Sequence, residues 1–285
     1  MAGLFSGFWW LLDLLNHFRP LATLSATILA LPFLVRKEKT YIALAGIIVI
    51  LNAGLMTHRV MQFGAPPTSL HSKNSISVLT ANVLTRNRNH HAVLSMVQEH
   101  DPDIFVAIET NETWHKKLAP LHTLYPYRLL HPRPDNFGMA IYAKEPFAKE
   151  LMTTEISHLP LIKLSFKTFT LLAAHPLPPV SQKYAASLNA YMHAIRQHTQ
   201  NERKPLIVAG DLNTTLWSDN IRPLLETGLQ PTNIWGWTWP TFMPLLALQI
   251  DHIFVKDMAV HSFDRLDRIG SDHFPILVTL TPLFP

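Results

Sequence analysis

The first 60 residues are almost entirely apolar, and no other feature limits so strongly what this chain can fold into. Two apolar runs, Leu21–Val35 and Tyr41–Thr57, are separated by the charged stretch Arg36–Lys39. A helix needs roughly 17–25 apolar residues to cross the hydrocarbon core of a membrane. The second run reaches this length, and the first approaches it if the aliphatic part of Arg36 extends to the membrane surface. We therefore expect a membrane anchor rather than a buried hairpin in a soluble protein.

A third apolar run, Leu4–Phe18, precedes these two and contains Asp13, Asn16 and His17. Two interpretations are open: the run is a third span, or it is a helix in the membrane interface with its tryptophans among the headgroups. No Lys or Arg precedes the run, which argues against a cleaved signal peptide. Residues 1–60 are thus predicted to form a membrane anchor of two or three apolar helices.

The charged stretch Arg36–Lys39 predicts the orientation of this anchor. Lys and Arg next to a span are retained on the cytoplasmic side, so the helix that begins at Tyr41 would run outward. Residues 61–74 contain one Gly, two Pro and two Ser and have no helical or strand period, so we expect a linker there. Residues 75–285 would then form a globular domain on the periplasmic or extracellular face.

The charge of the chain argues against a protein that depends on many contacts with the phosphates of duplex nucleic acid. The formal net charge is +4, but residues 71–285 carry 19 Lys and Arg against 18 Asp and Glu. Proteins that bind duplexes usually carry a distinctly basic surface. The sequence also contains no cysteine, which excludes disulfides, thiolate metal sites and thiol nucleophiles.

Short apolar runs alternate with helical patterns from residue 75 onward. Helices are predicted from the cap Asn89 through Glu99 and over Ser181–Thr199. About eight strands with few helices between them favour an α/β fold of two packed sheets flanked by helices over a single parallel sheet. The predicted strands are Ser75–Val83, Ile104–Ile108, Met139–Ala143, Leu161–Phe166, Phe169–Ala174, Leu206–Ala209, Ile250–Val255 and Pro275–Leu280.

Polar residues of a few types stand where the predicted strands end. Each has a plain structural explanation when taken alone, such as a turn or a helix cap. If the strand ends meet at one rim of a sandwich, however, these side chains come together, and burying so many carboxylates and imidazoles without a function would be costly. The residues are Asn82, Glu109, His175, Asp211, Asn213, Asp251, Asp272 and His273.

The order of the motifs that contain these residues is specific. TANV and AIET are followed by AAHP, VAGDLNTT, QIDHIFV and GSDHFPILV. This set resembles the endonuclease/exonuclease/phosphatase (DNase I-like) superfamily, which includes secreted DNases, abasic-site endonucleases, inositol-phosphate phosphatases and neutral sphingomyelinases. The resemblance covers about residues 76–280, and TTLWS and WTWPT look like a bacterial membrane-anchored branch. It implies a four-layer, two-sheet α/β sandwich held at the bacterial inner membrane.

The resemblance also implies a divalent metal site. Glu109 would be the principal ligand of Mg²⁺ or Mn²⁺, Asn82 would orient it or contact the phosphate, and Asp272 would be a possible further ligand. Mg²⁺ is a hard cation that commonly takes only one or two protein carboxylates. Two positions depart from many nucleases of the family: Leu84 stands where an acid is common, and Ile108 stands where Gln is common. The first departure favours a site with one metal ion.

The remaining residues would carry the chemistry by the same resemblance. Asp211 would position or activate the attacking water, and Asn213 would bond a phosphate oxygen. Asp251 would orient His273 in a carboxylate–imidazole dyad that fixes the tautomer and raises the basicity of the ring. His175 would contact the phosphate or protonate the leaving group. Which residue is the general base stays open.

The sequence also leaves the substrate open. The leading hypothesis is a phosphodiesterase or phosphatase that acts on a lipid headgroup or small phosphodiester beside the membrane, with the tryptophans of residues 235–239 either docking there or packing a long loop. A nuclease for extracytoplasmic DNA or RNA is the alternative. An inactive membrane-anchored binding domain is disfavoured because Glu109, Asp211, Asp251 and His273 are all present. No obligate protein partner is evident.

Overall fold

A computed structural model describes residues 9–63, 75–153 and 158–283. Its first three helices are α1 (Trp10–His17), α2 (Arg19–Arg36) and α3 (Lys39–Met61). Both predicted apolar runs are therefore helical, and α2 packs along α3. Within the described ranges, α3 is long and apolar enough to cross a membrane, while α1 and α2 are sufficiently apolar only as a pair that is bent by 65°.

Helix α1 is joined to the globular part of the protein by hydrogen bonds that neither interpretation of the third run foresaw. Its buried Asp13 accepts from the Ser218 hydroxyl at 2.6 Å and from the Asn220 amide at 2.9 Å. Nδ1 of His17 accepts from the backbone N–H of Thr215 at 3.3 Å. The start of the third run and most of the expected linker, residues 1–8 and 64–74, lie outside the described residues.

Twelve strands and four further α-helices are found in the rest of the described chain, and the strands form two six-stranded sheets. In chain order the elements are β1 (Ile76–Asn82), α4 (His90–His100), β2 (Ile104–Ile108), α5 (Glu112–Lys117), β3 (Tyr127–His131), β4 (Met139–Ala143), β5 (Ala148–Thr153), β6 (Pro160–Ser165), β7 (Thr170–Ala174), α6 (Gln182–Asn201), β8 (Leu206–Asp211), α7 (Arg222–Leu225), β9 (Gln230–Pro231), β10 (Asp251–Lys256), β11 (Met258–Arg265) and β12 (Ile276–Pro282). The first sheet has the order β11-β12-β1-β2-β4-β3, and the second has the order β5-β6-β7-β8-β10-β9.

The two sheets face each other across an apolar core, and helices cover their outer faces. Val106 of the first sheet and Ile207 of the second belong to the core between them. Helix α4 packs Val93 and Met96 on the outside of the first sheet, and α6 packs Tyr191 on the outside of the second. Because the central strands are covered on both sides, β2, β4 and β7 are buried at every position. The expected four-layer α/β sandwich is confirmed.

The eight strands predicted from the sequence are the eight interior strands of these sheets. The four strands that the sequence did not predict, β3, β5, β9 and β11, are the four edges. Strand β5, with the sequence AKELMT, is exposed at nearly every position. An edge strand has a neighbour on one side only, and natural edges are often short or charged, so these segments lack a recognisable apolar run.

Strand pairing explains how the polar strand ends meet. Strands β1 and β2 are parallel with Asn82 opposite Ile108, so Glu109 follows at the same edge of the first sheet. Strands β8 and β10 are antiparallel with Asp211 directly opposite Asp251 in the second sheet. Both pairs lie in the interior of their sheets, and the sheets face each other. The four polar side chains therefore meet at one rim of the sandwich.

Candidate active site

The side chain of Asn82 joins the two sheets at this rim. Its Nδ2 donates to Oε1 of Glu109 at 2.9 Å and to Oδ2 of Asp211 at 3.1 Å. Its Oδ1 accepts from the backbone N–H of Leu84 at 3.0 Å, which fixes the orientation of the amide. Glu109 has a φ of 64°, a left-handed conformation that is costly for this residue type and concentrates at functional sites. Carboxylates from two different sheets thus share one amide donor.

Asp211 is positioned by the glycine before it. Gly210 has a φ of 152°, and a Cβ atom there would lie 1.9 Å from the carbonyl oxygen of Ala174, so only glycine lets β8 approach β7 in this way. Oδ1 of Asp211 accepts from the backbone N–H of Asn213 at 2.9 Å. The Asn213 amide itself donates to the carbonyl oxygen of Pro176 at 2.9 Å. A contact between Asn213 and phosphate would therefore have to use its second amide hydrogen.

His273 lies between two carboxylates. Its Nδ1 donates to Oδ2 of Asp251 at 2.8 Å, and its Nε2 is 3.8 Å from Oδ2 of Asp211. Ser271 fixes the backbone here, because its hydroxyl donates to the carbonyl oxygen of Asn82 at 2.7 Å and accepts from the N–H of His273 at 3.1 Å. The imidazole is therefore held in one orientation by contacts with both sheets.

His175 reaches the same acids from the end of β7. Its Nδ1 lies 3.0 Å from the carbonyl oxygen of Asp211, which is an acceptor, so this nitrogen carries the hydrogen. Its Nε2 lies 3.8 Å from Oε1 of Glu109. The ring packs against Phe137, with 5.1 Å between the ring centroids. Nε2 is thus the atom of His175 that a substrate phosphate can meet.

Burial and neighbouring charges alter the proton affinity of two of these groups. Burial lowers the pKa of His273, but the carboxylates of Asp251 and Asp211 outweigh it and raise that pKa to about 10. Burial is the main cause that raises the pKa of Asp211 to about 6; Asp251 adds to this effect, while His273 and His175 oppose it. At neutral pH, His273 is therefore an imidazolium, and Asp211 is a carboxylate that readily takes up a proton.

Several buried side chains offer ligand atoms to a cation. Asp211, Asp251 and His273 each present one such atom, and these atoms all lie within 4.8 Å of one another. Carboxylate oxygens are the donors that a hard divalent cation prefers, and Asp211 and Asp251 supply two of them. Oδ1 of Asp272 is also buried and has no hydrogen-bond partner among the described residues. Together with Glu109, this set of oxygen donors fits a hard divalent cation such as Mg²⁺.

Two residues outside the predicted set also support the site. Oγ1 of Thr238 accepts from the backbone N–H of Asp251 at 3.2 Å, and Nε1 of Trp239 donates to Oδ2 of Asp272 at 3.2 Å. The signal that could have found them is their place in WTWPT, shortly before IDH. The structure gathers the predicted residues at this rim, although the Asp272 carboxylate faces Trp239 and the Asn213 amide faces a backbone carbonyl.

Residues 79–273 match the sequence profile described as the Endonuclease/Exonuclease/phosphatase family. The chain belongs to this family. The matched span contains all eight polar residues predicted from the motifs, from Asn82 to His273. Membership places the chain among hydrolases that act on phosphate ester bonds.

Solved structures of this family share the fold. TDP2 of D. rerio, humanized by 14 mutations, superposes with a TM-score of 0.61 at 16% identity over 73% of this chain and 99% of that one. An endonuclease/exonuclease/phosphatase from Bacteroides vulgatus gives 0.60 at 17% identity over 74% and 100%. D. rerio TDP2 complexed with single-stranded DNA product gives 0.60 at 15% identity over 73% and 99%. At this level of identity the likeness concerns the fold alone.

A curated relative is similar over a shorter stretch. The UPF0294 protein of Vibrio vulnificus (strain YJ016) is 30% identical over 106 residues, which cover 35% of this chain and 34% of that protein. The UPF0294 protein of Vibrio campbellii is 24% identical over 104 residues, covering 35% of each chain. The match thus spans about a third of the length of these curated relatives.

Proposed function

We propose that this protein is a membrane-anchored, Mg²⁺-dependent phosphodiesterase in which water attacks phosphorus. The observation that carries this proposal is the buried cluster of Asn82, Glu109, Asp211, Asp251 and His273, which links the ends of interior strands from both sheets. Phosphate ester hydrolysis needs a positioned water, charge neutralisation on the non-bridging oxygens and a stabilised leaving oxygen. The cluster contains a carboxylate base, a cationic donor and anionic ligands for a metal ion.

Asp211 is the group best suited to take a proton from the attacking water. A general base works best when its pKa lies near the operating pH, and the pKa of Asp211 is raised to about 6. Each carboxylate oxygen already accepts one hydrogen bond, Oδ1 from Asn213 and Oδ2 from Asn82. Because a carboxylate oxygen has two lone pairs, the orientation of Asp211 is fixed while acceptor capacity remains for water.

His273 supplies positive charge where negative charge builds up during the reaction. Asp251 holds the ring through Nδ1, so Nε2 is the donor that can face a phosphate oxygen or the leaving oxygen. A fixed cationic donor in a buried site stabilises such charge without reorganising during the step. His175 would contact the phosphate through Nε2, beside Glu109.

Glu109 would be the principal ligand of Mg²⁺, or of Mn²⁺, with Asp272 and Asn82 as further candidates. Asp251 is paired with His273, whereas Glu109 accepts from the Asn82 amide and the backbone N–H of Thr85, which supports this assignment. When bound, the cation neutralises charge on the phosphate oxygens. The residues themselves position the water, donate to the phosphate and hold the proton taken from the water.

The proposal includes a location: the protein would be an integral component of a bacterial inner membrane. Residues 1–60 would be the anchor, residues 61–74 the linker, and residues 75–285 the catalytic domain on the periplasmic or extracellular side. Support comes from α3, in which only 6% of the most apolar stretch is buried, so most of its surface is free to face lipid. The partner expected there is a phosphate ester close to the membrane.

A nuclease is the second candidate. The observation that favours it is the shared fold with D. rerio TDP2, whose structure was solved with single-stranded DNA product. The near-balanced charge of residues 71–285 argues against it, because nucleic-acid binding depends heavily on basic side chains.

One substrate screen tests the proposal and separates these candidates. The full-length protein, purified in detergent, is assayed on bis(p-nitrophenyl) phosphate, phospholipid vesicles, DNA and RNA with Mg²⁺, Mn²⁺ or chelator. We expect metal-dependent hydrolysis of a phosphodiester that Glu109→Gln lowers by roughly 10²-fold or more, because the main anionic ligand is lost. The control Glu112→Gln removes an exposed acid three residues away and should not matter. Full activity in chelator would contradict the metal assignment, and hydrolysis of DNA or RNA alone would identify a nuclease.

A further inference from the structure

An apolar cavity of about 220 Å³ lies between the N-terminal helices and the loop that precedes β10. Leu21 and Leu24 of α2 line one side, and Trp235, Trp237 and Leu245 of the loop line the other. The cavity is therefore bounded by the predicted anchor and by the catalytic domain together. Its lining is largely aliphatic and aromatic, which suits a hydrocarbon ligand and not an ionic one.

The loop of residues 235–248 exposes more apolar surface than a protein surrounded by water usually does. Leu245 is 92% exposed, Phe242 is 66% exposed and Trp237 is 54% exposed. Large contiguous apolar patches of this kind mark contacts with membranes, partners or ligands. The loop adjoins α2, whose Leu29 is also 67% exposed, so the apolar surface of the anchor continues onto the domain.

Polar contacts at the base of the helices hold the domain against the anchor. Asp13 accepts from Ser218 at 2.6 Å and from the backbone N–H of Asp219 at 2.9 Å. Arg59, near the end of α3, forms an ion pair with Asp219 at 3.4 Å. These contacts tie the N-terminal helices to the segment that follows Trp217, itself a residue of the cavity lining. With α2 and α3 in the membrane, the loop lies at the level where tryptophan is favoured.

The loop that lines the cavity also reaches the catalytic cluster. Its lining residue Gln249 is two residues from Asp251, and because consecutive Cα atoms are 3.8 Å apart, the two Cα atoms are separated by at most about 7.6 Å. On the same loop, Trp239 donates to Asp272, and its ring centroid lies 6.3 Å from that of His273. One loop therefore contributes both to the wall of the cavity and to the contacts around the cluster.

From this geometry we infer that the cavity binds an acyl chain of a membrane lipid, so that the substrate is a phospholipid of the leaflet that surrounds α2. The inference rests on the proposed function, since it names the phosphodiester that the cluster cleaves. Water adds to phosphorus, the P–O ester bond breaks, and the proton taken from water ends on the leaving alcohol. The products are a phosphomonoester and an alcohol, one of which keeps the acyl chains.

The test compares a lipid substrate with a soluble one in the same preparation. The full-length protein is reconstituted into vesicles of phosphatidylethanolamine and phosphatidylglycerol, and hydrolysis of these lipids is measured beside hydrolysis of bis(p-nitrophenyl) phosphate. Leu245→Glu places a charge on the cavity wall, and Leu24→Trp fills the cavity from α2 without adding charge. We expect each to lower the ratio of lipid to soluble-diester hydrolysis at least tenfold. The control Leu151→Glu, on the exposed edge strand β5, should leave the ratio unchanged.

A binding measurement makes the outcome independent of catalysis. Vesicles with brominated acyl chains should quench part of the tryptophan fluorescence that is seen in unbrominated vesicles. The quenched fraction of the fluorescence should be smaller in the Trp237→Phe variant. The inference would be overturned if both cavity variants kept the wild-type ratio of lipid to soluble-diester hydrolysis, or if Leu151→Glu lowered that ratio equally. In either case, hydrolysis of the soluble diester would still uphold the proposed function. Quenching without hydrolysis of any phosphodiester would instead refute the proposed function and leave lipid binding in place.

Discussion

Replacement of Asp251 by Asn tests the electrostatic basis of the site most directly. The variant keeps an acceptor for Nδ1 of His273, which lies 2.8 Å from the Asp251 carboxylate, but removes the negative charge. Burial lowers the pKa of His273, and Asp251 is the strongest of the influences that raise it to about 10. We therefore expect the imidazolium to become a stronger acid and to be held less firmly in the orientation that faces the phosphate.

The size of the effect follows from the lost interaction. A hydrogen bond to a charged group contributes about 1.5–3 kcal/mol, and one pH unit of pKa corresponds to about 1.36 kcal/mol. The pKa of His273 should thus fall by about one to two pH units. His273 then stays protonated at neutral pH, but if the lost hydrogen-bond energy also held the ring in place in the transition state, turnover should fall roughly 10- to 100-fold. Since His273 acts as the cation, activity is lost as pH rises through its pKa, and this alkaline limb should move to lower pH.

Two measurements check this expectation. Hydrolysis of bis(p-nitrophenyl) phosphate across the neutral and alkaline range gives the pH–rate profile, and NMR titration of the imidazole of His273 in metal-free protein gives its pKa. Asp257→Asn is a matched control. Asp257 directly follows β10, is exposed, and has a φ of 58° that Asn tolerates well. An Asp251→Asn variant with wild-type turnover and an unmoved alkaline limb would refute the proposed role of the pair.

Three further predictions concern the base, the fold and the orientation. Asp211→Asn should lower kcat with little change in KM. In the wild type, activity should rise with pH through about 6 as the Asp211 carboxylate forms, and the variant should lose this acidic limb of the pH–rate profile. An effect on KM alone would show that Asp211 acts in binding. Gly210→Ala should reduce the free energy of unfolding, measured by denaturant titration, by about 2–4 kcal/mol, because the added Cβ meets a backbone oxygen. Gly228 also has a positive φ but has open space around it, so Gly228→Ala should reduce the same free energy by only about 1 kcal/mol. If the Arg36–Lys39 loop is retained in the cytoplasm, alkaline phosphatase fused after Pro285 should be active, and a fluorescent protein that matures only in the cytoplasm should be dark there. The reverse pattern would place the domain in the cytoplasm.

The sequence by itself determined the interior of the sandwich. All eight predicted strands are interior strands, because a strand that is covered on both faces is apolar along most of its length, and this leaves a visible run. The same runs make the polar residues at their ends conspicuous, so the positions from Asn82 to His273 can be selected from the sequence alone. The edge strands β3, β5, β9 and β11 leave no such run, because solvent takes the place of the missing neighbour.

Only the tertiary structure decided how these residues interact. The contact of Asn82 with Glu109 and Asp211 joins positions that lie 27 and 129 residues apart in the chain, and no periodicity records such a distance. The cationic state of His273 depends on two neighbouring carboxylates that outweigh the opposing effect of burial, and the residue type alone does not reveal these neighbours. Likewise, Trp239 donates to Asp272 while Trp235 and Trp237 line the apolar cavity, and Asp13 of an apolar helix accepts from Ser218. Local patterns report which residues are covered, whereas hydrogen bonds and pKa values depend on distances across the fold that the chain fixes only when its two sheets pack together.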